Sequence, residues 1–315
     1  VPSSLVGQIV LERYLVEEEL GEGAMARVFR GRHVELARPV AIKVLHRYLV
    51  HDTTMRARFL REAELAARLQ HPNVIGVLDC GETAGQQIMV LELAQGRPLR
   101  KLMIGPMARD RIVRLARQIL NGLDHAHAAS LIHRDLKPEN IMVDVSPDGV
   151  EVPRIVDFGI AVLRDPDESI AGGKLTASGQ VLGTPIYMAP EQAKCEPFDH
   201  RIDLFALGVI VYELLAGTTP FDGSAIEIAV ANINQDPPTM ASRAPHAVVD
   251  PLLEAFARKL MARRLSERIA SAHDALAILE LVERDRIEAA LALGITDVAK
   301  AFDVVSLPPP PTRKR

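Results

Sequence analysis

Cysteine is scarce in this chain: Cys80 and Cys195 are the only two among 315 residues, far apart and without a CxxC partner. Such usage excludes a disulfide framework and a cysteine-based metal site, and reads as reduced thiols in a cytosolic, that is cytoplasmic, domain. An excess of charge of either sign is also missing. The 37 lysines and arginines against 41 acids leave a formal charge of −4 and a pI near 6.2, which offers no global attraction to nucleic acid. The basic end Thr312-Arg313-Lys314-Arg315 is too short to change that. Nor is there a long hydrophobic run. The most apolar segment, Leu204 to Gly217, has 14 residues and carries Glu213, so it is too short and too polar to cross a bilayer and reads as a buried helix. No signal peptide and no internal repeat are visible. His125 and His127 stand two apart on a helical stretch, do not face each other, and read as packing residues rather than a metal pair. Val1 in place of methionine is what a piece excised from a longer protein would show.

What is present points elsewhere. With 48% hydrophobic residues the chain can bury a large core, and its length suits two lobes better than one. The run His133-Arg134-Asp135-Leu136-Lys137-Pro138-Glu139-Asn140 is followed by Asp157-Phe158-Gly159. Together they supply two acids, an amide and a lysine, the equipment for holding divalent metal and moving a phosphoryl group. Upstream, a strand from Tyr14 to Leu20 runs into Gly21-Glu22-Gly23-Ala24-Met25-Ala26-Arg27-Val28, where glycines let a hairpin backbone approach phosphates without Cβ clashes. The third glycine of that loop pattern is Ala26 here. Val40-Ala41-Ile42-Lys43-Val44 alternates like a strand, and Gly183-Thr184-Pro185-Ile186-Tyr187-Met188-Ala189-Pro190-Glu191 closes the motif series.

From about Tyr14 to Leu281 these motifs resemble the eukaryotic-type (Hanks-type) serine/threonine protein kinases of bacteria. Arg61-Glu62-Ala63, Asp157-Phe158-Gly159-Ile160-Ala161 and Ala189-Pro190-Glu191-Gln192-Ala193 are similar to the receptor-like subgroup. The resemblance implies an α+β, bilobal protein-kinase fold, with a small β-rich N-lobe carrying one helix and a larger, mostly helical C-lobe. The expected divisions are an ATP-binding N-lobe at 1–95, a C-lobe with the catalytic and activation segments at 96–285, and a helical extension and Pro-rich basic linker at 286–315. Helices are expected at Thr53–Leu69, Asp110–Ala129, Leu204–Leu215, Ala225–Asn234, Pro251–Arg263, Ala272–Val282 and Ile287–Val305.

The resemblance also implies transfer of the γ-phosphoryl group of ATP to serine or threonine hydroxyls of protein substrates, with Mg²⁺ (or Mn²⁺). Asp135 would orient the hydroxyl and accept its proton, Lys137 would contact the γ-phosphate, and Asn140 and Asp157 would hold the metal ions. Lys43 would reach the α- and β-phosphates and pair with a helix glutamate. Of the two available, Glu62 shares the inward face with Phe59, Ala66 and Leu69, whereas Glu64 lies roughly 200° round the helix from it and faces water. Gly21, Glu22 and Gly23 would cover the phosphates; the backbone of Glu92 and Ala94 would bond the adenine edge, with Leu91 behind it and Val28, Ala41 and Met142 against the base. Glu191 should meet Arg268 and anchor the activation segment. Thr176 and Ser178 are the expected activation-loop phosphosites, modified within a kinase–kinase dimer by trans-autophosphorylation and read by Arg134. Pro308–Pro311 with the basic end resembles a juxtamembrane linker, so any membrane link is expected through a parent-protein segment not present here. A pseudokinase scaffold would lack one of Lys43, Asp135, Asn140 or Asp157, and none is lacking.

Overall fold

The computed structural model describes residues 5–23, 25–50, 52–158 and 185–296, apart from the side chains of Arg58 and Glu62. The first strands are β1 (Ile9–Val10), β2 (Tyr14–Glu22), β3 (Ala26–His33) and β4 (Pro39–Leu45), followed by helix α1 (Thr53–Ala66), β5 (Val77–Thr83), β6 (Gln86–Glu92) and β7 (Arg97–Pro98). Then come α2 (Arg109–Ala128), β8 (Ile141–Val145), β9 (Glu151–Ile155), α3 (Pro190–Ala193), α4 (Arg201–Ala216) and α5 (Ala225–Asn234). The series closes with α6 (Met240–Arg243), α7 (Pro251–Leu260), α8 (Ala272–Arg284) and α9 (Arg286–Ala292). These elements fall into two compact units. The first comprises 5–99, 125–134 and 139–158, and the second 100–124, 135–138 and 185–296, so the chain passes between them more than once.

In the first unit six antiparallel strands form one sheet in the order β1-β2-β3-β4-β6-β5. Alternation along β4 decides its two faces. Val40, Ile42 and Val44 join Phe29, Ile88 and Val90 in one core cluster, while Leu45 packs with Met89 and with Phe59 and Ala63 of α1 on the opposite side. Burying a side chain of that size contributes about 1.5–3 kcal/mol, so register is held firmly. Asp52 caps α1 by accepting from the Thr54 and Met55 N–H groups at 2.9 and 3.1 Å. The helix ends at Ala66, earlier than expected; Leu69 is still buried, but in the turn that follows. A second sheet, β7-β8-β9, lies in the same unit.

The second unit is built around α4, whose residues from Ile202 to Tyr212 are all buried. Gly208 permits the close approach of α7, because a Cβ there would stand 2.7–3.0 Å from atoms of Met261, Leu260 and Ala257. Ser224 and Glu227 form a capping box on α5, and Asp250 caps α7 ahead of Pro251. The expected helix from Ile287 to Val305 is not continuous. It stops at Ala292, where Gly294 takes φ 79° and the N–H groups of Gly294 and Ile295 bond the carbonyls of Leu291 and Ala290, a Schellman stop. The rest of that span lies outside the described residues. Among those described, no helix is long and apolar enough to cross a membrane.

Candidate active site

Within the first unit, cross-strand register places Val28 opposite Lys43, Lys43 opposite Met89, and Ala41 opposite Leu91. Side chains two apart on a strand share a face, so Val28, Ala41, Lys43 and Leu91 lie on the sheet face that α1 covers only in part. Lys43 is 6% exposed, and an ammonium so buried needs a partner. Its Nζ donates to Oδ1 of Asp157 at 2.7 Å, an ion pair spanning 114 positions of sequence. Position 62 lies on α1 between the buried Phe59 and Ala63, but the Glu62 side chain lies outside the described residues. Glu64 is exposed and pairs with Arg68 at 2.8 Å one turn on.

Local backbone geometry brings Asp157 to this place. Ile141 pairs with Ile155, and the Val156 N–H donates to the Asn140 carbonyl at 2.9 Å, so Asn140 and Asp157 flank the same end of the β8–β9 hairpin. The fully buried His133 reaches the Val156 carbonyl through Nε2 at 2.9 Å and packs its ring 4.9 Å from that of Phe158. Asp157 adopts φ 58° and Arg134 φ 69°; aspartate tolerates the left-handed region better than most residues, while for arginine it is unusual. A carboxylate and an amide at the same end of one hairpin, with the Asp157 side chain 41% exposed, are hard oxygen donors of the kind that suit a divalent metal.

In the second unit Lys137 Nζ donates to Asp135 Oδ2 at 2.6 Å. The Arg268 guanidinium bonds both oxygens of Glu191 at 2.6 and 3.1 Å, with side chains 0% and 5% exposed, and also donates to the Ala262 and Arg201 carbonyls. Three further residues hold the segment before Glu191. Arg100 binds Glu213 at 2.6 Å, the Tyr187 hydroxyl donates to Glu213 at 2.7 Å and also contacts Arg100, and Asn232 Nδ2 donates to the carbonyls of Pro185 and Met188 at 3.1 Å. Sequence reading missed these. A carboxylate inside an otherwise apolar helix was the available signal, since Glu213 had to find a cation; its partner, 113 positions away, carried none.

The nucleotide-binding candidates are all on the first unit: Gly21 and Glu22 end β2, Gly23 follows, Glu92 ends β6 and leads to Ala94, and Met142 lies on β8 opposite Arg154. Thr176 and Ser178, with Gly159, Gly183 and Thr184, lie outside the described residues. Cys80 and Cys195 are exposed free thiols, and no cluster of three or more metal-binding side chains occurs among the described residues.

A sheet-and-helix first unit carrying a buried lysine paired with a half-exposed aspartate, and a helical second unit carrying a second, partly exposed lysine–aspartate pair, define a protein kinase domain. A family model described as the protein kinase domain matches residues 14–279, and the chain belongs to that family. It is 40% identical to serine/threonine-protein kinase pkn3 of Myxococcus xanthus over 285 residues, covering 89% of this chain and 52% of that protein. It is 39% identical to serine/threonine-protein kinase pkn2 of the same organism, covering 84% and 33%. Among solved structures, the Mycobacterium tuberculosis PknI kinase domain superposes with a TM-score of 0.66 at 26% identity, covering 88% of this chain and 99% of that one. The chain thus spans between a third and about half of the length of these two curated relatives. ATP as substrate and a divalent metal go with the family.

Proposed function

We propose that this chain is the catalytic domain of a bacterial serine/threonine protein kinase that transfers the γ-phosphoryl group of ATP to protein hydroxyls. The observation that carries this reading is the ion pair of the buried Lys43 with Asp157 at 2.7 Å. Burying an ammonium costs several kcal/mol unless it is well paired, and a plain packing site would be better served by a hydrophobic residue. Here the pair joins the lysine expected at the phosphates to the carboxylate expected at the metal.

Each residue then has a task. Asp135 orients the substrate hydroxyl and takes its proton, and Lys137, at 2.6 Å from it, meets the γ-phosphate. Lys43 aligns the α- and β-phosphates, with Glu62 as its second partner. Asn140 and Asp157 hold Mg²⁺ (or Mn²⁺), which when bound neutralises charge on the phosphate oxygens. Glu92 and Ala94 present backbone groups to the adenine edge, with Val28, Ala41 and Met142 against its faces. Gly21, Glu22 and Gly23 lie over the phosphates. Among the described residues nothing stands within 4 Å of a Cβ built on Gly21, and the nearest atom to one on Gly23 is 3.5 Å away. Neither residue has the positive φ that would call for glycine, so their smallness suits an approaching ligand. Glu191 and Arg268 anchor the substrate-binding segment. Thr176 and Ser178 receive phosphate from a second copy in a kinase–kinase dimer, on the cytoplasmic side where ATP is available.

The test is a phosphoryl-transfer assay on Asp157→Asn and Lys43→Met. Both should lose activity by at least about a thousandfold, the scale at which positioning and electrostatic groups act. Lys43→Met should melt within a few degrees of the unchanged protein, whereas Asp157→Asn, which leaves the buried ammonium without its carboxylate, should melt lower. Appreciable transfer by either variant would overturn the assignment of roles.

A further inference from the structure

The stretch from Glu92 to Gly96 is held at both ends by one hairpin. Side chains two apart on β8 share a face, and a residue directly opposite on β9 shares it too, so Met142, Asp144 and Arg154 stand together on one side of the β8–β9 hairpin. At the near end, Glu92 is gripped by two guanidinium groups: Arg38 lies 3.2 Å from Oε1, and Arg154 contacts Oε2. At the far end, the Gly96 N–H donates to Asp144 Oδ1 at 2.5 Å, and a Cβ at Gly96 would collide with the Val143 carbonyl. Arg154 and Asp144 face each other at 3.9 Å and link the two grips. The Arg154 Nε is buried without a hydrogen-bond partner, a penalty that a residue kept for packing alone would avoid.

The geometry points to Arg154 and Asp144 as positioning residues for the nucleotide base, acting through the backbone of Glu92 and Ala94. The inference rests on the nucleotide reading above and adds a specific device to it. A five-residue connection left to itself would lose conformational freedom on meeting a ligand, and that loss would weaken binding. The Glu92–Arg154–Asp144–Gly96 chain of contacts fixes the connection beforehand. It also fixes it to the strand that carries Met142, so the hydrogen-bonding edge and the apolar floor beneath the base are set relative to each other by the same two side chains. Lysine is a poor substitute for Arg154, because a point charge cannot reach Glu92 and Asp144 at once as a guanidinium fork does.

Equilibrium binding to the full 315-residue chain, with ATP·Mg²⁺, adenosine and inorganic tripolyphosphate·Mg²⁺ as separate probes, tests this. Arg154→Met and Asp144→Asn should each weaken ATP roughly 5- to 30-fold, the worth of one or two residues left unordered. Adenosine should weaken by the same factor and tripolyphosphate by none. Kinetically, KM for ATP should rise with kcat nearly unchanged, Arg154→Lys should recover only part of the loss, and the double variant should lose less than the product of the single losses. Equal ATP affinity in all variants overturns the inference, and so does a uniform loss of all three probes accompanied by a lower melting temperature. If the unchanged chain binds no ATP, the nucleotide reading itself fails, an outcome distinct from both.

Discussion

Arg268 shows the most demanding side-chain environment in the second unit. Its guanidinium has no exposed surface, sits 5.1 Å from the Phe205 ring, and directs its hydrogen bonds to Glu191 and two carbonyls. Removing one partner of such a pair costs about 3–5 kcal/mol, because the other is left charged in a low-dielectric interior. Glu191→Gln keeps the shape and deletes the charge, and should lower the melting temperature by roughly 6–20 °C, at 2–4 °C per kcal/mol for a domain of this size. Thermal denaturation followed by circular dichroism reads this directly. A loss under about 2 °C would mean that water reaches the pair and that the anchor is weak. Glu191 and Arg268 could be named as partners from sequence because each stands in a recognisable motif. Their carbonyl contacts could not, since no side-chain identity marks a backbone acceptor.

At the scale of elements, the turn joining α1 to β5 couples a titratable ring to the strand leading into Asp157. His71 Nδ1 accepts from the Asn73 N–H at 3.1 Å, so that nitrogen carries no proton in this arrangement. Asn73 in turn donates to the Pro153 carbonyl at 2.8 Å and accepts from the Ile155 N–H at 2.8 Å, two residues before Asp157. Burial, and then the His125 ring stacked 5.2 Å away, push the His71 pKa below its usual 6.5. The unfolded chain therefore binds the proton more readily than the folded one. The stability held by neutral His71 is complete above about pH 6.5 and is lost as pH falls through the lower folded value. Melting temperatures measured from pH 7.5 down to pH 5 should fall more steeply for the unchanged protein than for His71→Asn, whose amide oxygen keeps the acceptor. Parallel slopes would remove His71 from the acid response. This turn and the β8–β9 hairpin were the least legible elements. The hairpin did leave a signal, Pro147-Asp148-Gly149 between alternating apolar runs, with Gly149 at φ 81°. The long helices were legible to within a few residues, α2 and α7 from their amphipathic spacing and α4 from an unbroken apolar run that ends at Gly217, whereas the stop of the last helix at Gly294 depends on backbone conformation.

For the molecule as a whole, two units each contribute a lysine–carboxylate pair, Lys43 with Asp157 in the first and Lys137 with Asp135 in the second. All four residues were singled out by sequence because each stands in a motif that resembles those of the protein kinases. Sequence did not disclose that Lys43 would meet Asp157 directly, a contact that depends on packing between distant segments. The activity proposed for this chain is movement of phosphate from ATP to serine and threonine. Mass spectrometry of the purified chain after incubation with ATP·Mg²⁺, beside Lys43→Met treated identically, tests it most directly. The account predicts phosphate on hydroxyl side chains, Thr176 first and Ser178 second, bringing about −1.5 to −2 charges to each site, and none on the variant. An unchanged protein that gains no phosphate on itself or on an added protein substrate, or a Lys43→Met variant that gains as much, would contradict it.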